Sequence, residues 1–261
     1  MNIIGIIPAR MASSRFPGKP LAILNGIPLV GHVYLRSVMS HLLNDVYIAT
    51  CDKEIVEYAK SISAKAVMTK SIHERASDRC AEAMQKIEKV SGKRNDIVVM
   101  IQGDEPMITP EMINLSVKPF FKDKNVLVSN LMAKILTREE HNDPNTVKVV
   151  VDSQNNALYF SREPIPSWKK GAANVPMMKQ VCIIPFRRDF LLTFNRLKPK
   201  KLEEVESVDM LRVIEHGCKV RMVYSDFQTH SVDNIADLKK VEKLLKTDKL
   251  TKKYKSFSGG F

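Results

Sequence analysis

The chain has 261 residues, 44% hydrophobic and 27% charged, with 41 Lys plus Arg against 29 Asp plus Glu and a formal net charge of +12. These proportions suit a globular chain with a sizeable core and exclude a disordered or collagen-like one. No apolar stretch approaches the ~18 residues of a membrane span, Cys51, Cys80, Cys182 and Cys218 form no CxxC pair, and Arg10 ends the first apolar run too early for a signal peptide, so the expectation is a reduced, cytoplasmic protein with no membrane, zinc or disulfide framework.

Residues 3–8 (IIGIIP) are continuously apolar and predict a strand buried on both faces. Asn25-Gly26 predicts the turn of a small hairpin. Val30, Val33, Tyr34, Val38 and Leu42 then share one side of a helix. Residues 46–50 repeat the buried-strand pattern, 55–62 the amphipathic one, and 97–101 the strand again. This alternation predicts right-handed βαβ units and a doubly wound sheet. Further strands at 126–133, 147–151, 157–160, 181–186 and 220–224 are less interleaved with helices and predict a mixed second half. A last helix is expected over 235–245. Pro164, Pro166 and Gly171 mark a long loop, not a boundary, so residues 1–245 read as a single domain. Five lysines follow Leu245 (Lys246, Lys249, Lys252, Lys253, Lys255), and 246–261 reads as a solvated, partly disordered basic tail.

The stretch after the first strand carries Arg10, Arg15 and Lys19, the hydroxyls of Ser13 and Ser14, and Gly18, with no acid. Ligands of open α/β sheets bind beyond the carboxyl ends of the strands. A basic, glycine-containing loop there suits a polyphosphate, whose charge cations neutralise and whose oxygens backbone N–H groups cradle. It is not a P-loop, because Pro20 follows Lys19 and the upstream glycine is missing. The second signal is IQGDEPMI, residues 101–108. Asp104 and Glu105 follow a buried strand, and paired carboxylates there suit Mg²⁺, which also takes substrate phosphate oxygens. Asp104 alone would also serve as a turn or capping residue, and Glu105 is held extended by Pro106. The six histidines show no metal-ligand spacing. A nucleic-acid-binding protein is the alternative suggested by charge. It calls for basic residues interleaved with aromatics, whereas aromatics are 7% here and the basic excess clusters in one loop and the tail.

A cationic loop and an acidic strand end on one sheet edge describe a nucleoside triphosphate with metal. The sequence here resembles the CMP-Kdo synthetases, the 3-deoxy-manno-octulosonate cytidylyltransferases. The resemblance runs from Ile6 to about Val241 through IPARMASSRFPGKPL, QGDEPMI, NDPNTVKVVVD with ALYFSREPIP, and VDNIADL. ASDRCAEA and MLRVIEHG are weaker matches. It implies an α/β, Rossmann-like (GT-A-like) nucleotidyltransferase fold, a mixed sheet with helices on both faces. The implied reaction is attack of an acid-sugar hydroxyl on the α-phosphorus of CTP, with pyrophosphate leaving. By the same resemblance, Arg10, Arg15 and Lys19 hold the triphosphate. Ser77, Asp78, Arg79 and Gln102 shape the nucleotide pocket. Asp104 and Asp233 bind Mg²⁺. Lys148, Arg162, Gln180 and Asp209 lie by the acceptor. Arg10, Lys19 and Asp104 are the residues expected to act in catalysis. A homodimer is implied too, through an embedded region at about 126–224 that also carries the acceptor site.

The chain departs from the family pattern on the acceptor side. Characterised members commonly carry His-x-Gly-x-Tyr-Gly-Tyr where this chain has QVCIIPF, residues 180–186, and a Glu-Gln pair where it has Asp209-Met210. Isoleucine offers no hydrogen bond to a polyhydroxy acid. The expectation is a changed acceptor preference: a Kdo-like acid poorly used, and another small acid, a phosphonate among the candidates, used better.

Overall fold

The computed structural model describes residues 1–12, 16–171 and 174–257. They form two compact units, Met1–Asn114 with Thr229–Phe261, and Leu115–Gln228. The second unit spans the region the sequence suggested as an embedded segment, with wider limits.

The first unit begins with β1 (Ile3–Pro8), buried along its whole length. Its four isoleucines are at most 2% exposed, and burial of such a side chain contributes about 1.5–3 kcal/mol. Next come β2 (Ile23–Leu24) and β3 (Ile27–Pro28), joined by Asn25 and Gly26 at φ 48° and 83°. Positive φ at both positions is what a two-residue primed turn requires, hence Asn-Gly. An alternating series follows: α1 (Leu29–Ser37), β4 (Asp45–Thr50), α2 (Lys53–Ser61), β5 (Lys65–Met68), α3 (Ala76–Ser91) and β6 (Ile97–Ile101). Helix α4 (Pro110–Lys122) then carries the chain onward.

Within this unit β6, β1, β4 and β5 lie side by side in that order, all parallel. The chain moves outward from β1 through β4 to β5, then returns to the far side of β1 as β6. Right-handed crossovers place α1 and α2 on one face and α3 on the other. The reversal between β1 and β6 creates a crevice at their carboxyl ends. Close packing of α1 on α2 demands glycine at position 31, where a Cβ would lie 1.9 Å from the Tyr58 hydroxyl oxygen.

The second unit contains β7 (Ser129–Lys134), α5 (Arg138–Asn142), β8 (Lys148–Val151), β9 (Ala157–Ser161), β10 (Met178–Val181), β11 (Ile183–Arg187), α6 (Arg188–Phe194), α7 (Lys201–Glu206), α8 (Met210–Glu215) and β12 (Arg221–Ser225). Five of its strands form a sheet in the order β12-β7-β10-β8-β9. The β12–β7 pair is parallel and the other pairs are antiparallel. The single strand expected over 181–186 is two. Strand β10 pairs with β7 and β8, whereas β11 turns off at Cys182, and Phe186 forms an isolated antiparallel bridge with Val128 just before β7. Phe186 packs on Phe194 with ring centres 5.6 Å apart.

The chain returns to the first unit with α9 (Ile235–Thr247) and α10 (Lys249–Phe257). Helix α10 corrects the expectation of a solvated tail. Lys246, Lys249, Lys252 and Lys253 are exposed, but Thr251 and Tyr254, one turn apart, are each 3% exposed. The Tyr254 hydroxyl lies 2.5 Å from His32 Nδ1. The buried Arg36 donates to Asp248 Oδ2 (2.5 Å) and Thr251 Oγ1 (2.9 Å). Lysine count hid a narrow buried stripe. Residues 258–261 of the expected tail lie outside the described residues. Among the described residues the four cysteines are free, and no helix is long and apolar enough to cross a membrane.

Candidate active site

The end of β1 continues its ladder one residue further, Ala9 N donating to Ala49 O at 2.9 Å. Met11 N then donates to Asp52 Oδ2 (2.8 Å), and Gly18 N to Met11 O (3.0 Å), so the ends of the loop are pinched together. Gly18 has φ 73°, a left-handed conformation that turns the chain into Lys19 at glycine's low steric cost. Arg10 is exposed at the near end. Arg15, with Ser13 and Ser14, lies outside the described residues.

Lys19 Nζ is 2.8 Å from Asp104 Oδ2, 3.8 Å from Asp233 Oδ1, and donates to Val232 O at 2.9 Å. The three side chains are 14%, 30% and 21% exposed. Two main-chain arrangements fix the acids. Val232 N donates to Asp104 O (2.9 Å), tying the turn after β6 to the entry of α9. Asn234, not Asp233, caps α9, in a capping box with Asp237, whose Oδ2 also accepts from Asp233 N (3.0 Å). The Asp233 carboxylate is thereby left to face Lys19. Glu105 is buried and accepts from Thr229 Oγ1 at 2.6 Å, a structural role. Two carboxylates and a carbonyl oxygen already converge on one cation, and this is the oxygen donor set of a hard divalent cation. Among the described residues no group of three or more His, Cys, Asp or Glu side chains converges.

A cleft of about 300 Å³ opens beside this cluster. Its lining includes Arg10, Lys19, Arg75 and Arg79 against the acids Glu74 and Asp104, together with Gln102 and Gly103. One wall is the start of α3, the positive end of a 16-residue helix. Ser77 is fully buried and Asp78 half-buried in its first turn. Arg79 is 2% exposed and binds Thr69 Oγ1 (2.5 Å) and the carbonyls of Lys70 and His73 (both 3.4 Å), so it braces the wall. Glu82 holds the same segment through His73, the Lys70 amide and Lys86. Burial alone would raise its pKa, but those donors outweigh burial and bring it down to about 2. Sequence reasoning missed Arg75. Its signal was a cation directly before a helix start beside an expected nucleotide motif.

The residues expected by the acceptor all lie in the second unit and are engaged internally. Lys148 is fully buried and donates to the carbonyls of Asp143 (2.9 Å) and Arg162. Burial lowers its pKa. The Arg162 guanidinium donates to the carbonyls of Glu206 (2.7 Å), Pro144 (2.8 Å) and Ser207 (3.4 Å). Gln180 Nε2 donates to Asn130 Oδ1 at 2.6 Å. Asp209 precedes α8. The apolar replacements are interior: Ile184 is 3% exposed, and Phe186 and Met210 are fully buried. They fill the core of their unit.

A cation-rich cleft with paired carboxylates, set at the switch point of a parallel sheet, is built for a nucleoside triphosphate and defines a nucleotidyltransferase. The profile of the cytidylyltransferase family matches residues 4–252. The 3-deoxy-manno-octulosonate cytidylyltransferase of Geotalea uraniireducens is 39% identical over 94% of this chain and 100% of its own. That of Syntrophobacter fumaroxidans is 41% identical over 95% and 98%. A solved CMP:2-keto-3-deoxy-manno-octonic acid synthetase complexed with CTP superposes with a TM-score of 0.87 at 36% identity, covering 94% of this chain and 99% of that one. The chain belongs to the 3-deoxy-manno-octulosonate cytidylyltransferase family.

Proposed function

We propose that this chain transfers CMP from CTP to a hydroxyl of 3-deoxy-manno-octulosonate and releases pyrophosphate, with Mg²⁺ held by Asp104 and Asp233. The observation that carries the reading is the convergence of Asp104, Asp233 and Val232 O on the Lys19 ammonium, at the mouth of a cleft lined by Arg10 and Gln102. The acceptor oxygen forms a bond to the α-phosphorus, the bond from that phosphorus to the bridging oxygen breaks, and the hydroxyl proton passes to water. When bound, the metal polarises phosphate oxygens and lowers the pKa of the attacking hydroxyl. Arg10 faces the charge that develops at the α-phosphate, and Lys19 with Arg15 binds the leaving pyrophosphate. Gln102 contacts the nucleoside, and Ser77 and Asp78 support the pocket from the first turn of α3. Arg79 acts as a positioning residue through the 69–73 segment. Lys148 and Arg162 shape the acceptor region through the carbonyls they bind, and Gln180 and Asp209 offer it polar atoms. Four free cysteines suit a reducing cytoplasm. Exposed Leu158, Val205 and Tyr224 offer apolar surface for a homodimer.

The test is pyrophosphate release with CTP, UTP, ATP or GTP and Mg²⁺, against a panel of 2-keto-3-deoxy acids and phosphonates. The expected result is turnover with CTP and 3-deoxy-manno-octulosonate at kcat/KM of roughly 10⁴ M⁻¹s⁻¹ or more. Higher kcat/KM with another acid keeps the CMP transfer and replaces the acceptor. Equal turnover with all four nucleotides removes the assignment to CTP.

A further inference from the structure

We infer that Lys19 acts as a stand-in cation that keeps the divalent metal out of the carboxylate pair until a nucleotide draws it away. This rests on the reading of the site as one for CTP and a metal. An ammonium has three N–H groups and no acceptor. Those of Lys19 face Asp104 Oδ2, Val232 O and, at ion-pair distance, Asp233 Oδ1. The oxygens a metal needs are therefore the ones the lysine holds. Mg²⁺ binds oxygen at ~2.0–2.1 Å, so it cannot enter between them while Nζ stays where it is. With all three side chains at most 30% exposed, solvent screens the competition only in part.

Lys19 also lines the cleft, on the far end of a flexible four-carbon stem. A triphosphate entering the cleft offers the ammonium a stronger anion and simultaneously supplies the remaining metal ligands. The exchange is balanced: the lysine passes from carboxylate to phosphate, and the metal takes its place on the carboxylates. Metal binding is thus coupled to nucleotide binding through one side chain, and by linkage the coupling runs both ways. The nucleotide-free protein resists loading with a bare ion.

The experiment measures Mn²⁺ binding to the full-length, nucleotide-free protein by electron paramagnetic resonance and calorimetry, for wild type, Lys19→Met, Lys19→Gln and Lys19→Arg. Melting curves with and without Mn²⁺ accompany each, so a variant that fails to fold is replaced by its partner. Lys19→Met and Lys19→Gln are expected to bind Mn²⁺ about tenfold more tightly than wild type, within the usual range of coupling between sites. Lys19→Arg keeps the charge and is expected to stay near wild type. A gain below about threefold in both neutral variants, or an equal gain in Lys19→Arg, overturns the inference. CTP binding by wild type with saturating Mg²⁺ is measured in parallel. Its absence overturns the CTP reading instead, while the Mn²⁺ affinities still decide the role of Lys19.

Discussion

Gly103 separates Gln102 from Asp104, and a Cβ built on it falls 2.9 Å from the main-chain oxygen of Pro8. Ordinary carbon–oxygen contacts lie at ~3.3–3.6 Å, so Gly103→Ala forces a separation of roughly 0.4 Å between the turn after β6 and the end of β1. Neither is a free side chain that swings aside: the Pro8 oxygen is main chain at the end of buried β1, and Gly103 lies two residues after buried β6. Overpacking of this kind costs about 1–3 kcal/mol, a fall in Tm of roughly 2–12 °C for a chain of this size. Asp104 moves with the turn, away from Lys19 and Asp233. A misplacement of 1 Å costs about a hundredfold in rate. Scaled to a few tenths of an ångström, kcat/KM falls roughly five- to tenfold. The assays are pyrophosphate release at saturating acceptor and thermal melting of the same preparation. A variant with kcat/KM within about twofold of wild type and an unshifted Tm refutes the claim that close approach of these two chain ends sets the site.

Gly31→Ala places a methyl on the Tyr58 hydroxyl and is expected to cost at least 2 kcal/mol, roughly, by the same overpacking argument. Adding Tyr58→Phe removes the nearest atom, so recovery of less than about a third of the lost Tm in the double variant refutes that contact. For Glu82, a folded pKa near 2 against the ordinary 4.5 means a stabilisation present above pH 4.5 and lost as pH falls toward 2, at most about 3 kcal/mol. Urea midpoints of wild type and Glu82→Gln should therefore converge over that interval, and parallel curves from pH 6 to 2.5 contradict the assignment. Asp248→Ala strips the buried Arg36 of its carboxylate and is expected to cost about 3 kcal/mol. A loss below about 0.5 kcal/mol returns α10 to the status of an ornamental tail.

The alternating half of the fold was legible because buried parallel strands read as unbroken apolar runs, as in residues 3–8 and 97–101, with amphipathic stretches between them. Helices α5 to α8 have five to seven residues, too few for a helical period to stand out. Strand β5 is a four-residue edge with no fully buried position, so its pattern carried no signal. At the site, charge type at a strand end sufficed to single out Arg10, Lys19 and Asp104. The mutual contact of Lys19 with both acids was not legible, because it depends on a main-chain bond between Val232 and Asp104 that no residue type announces. Lys148 and Arg162 were placed near the acceptor by the family resemblance alone. Their partners are backbone carbonyls, and sequence alone cannot distinguish a cation that meets a substrate from one that meets its own chain.

The first unit is assembled from both ends of the polypeptide, with the whole second unit synthesised in between. Lys19 and Asp104 leave the ribosome early, whereas Asp233 and helices α9 and α10 follow only after the second unit. A nascent chain that has completed β1 to β6 carries a basic nucleotide cleft but lacks the second carboxylate and the buried partners of Arg36. Competence waits for the returning segment, and any message truncated before Asp233 yields a product unable to assemble the cation cluster.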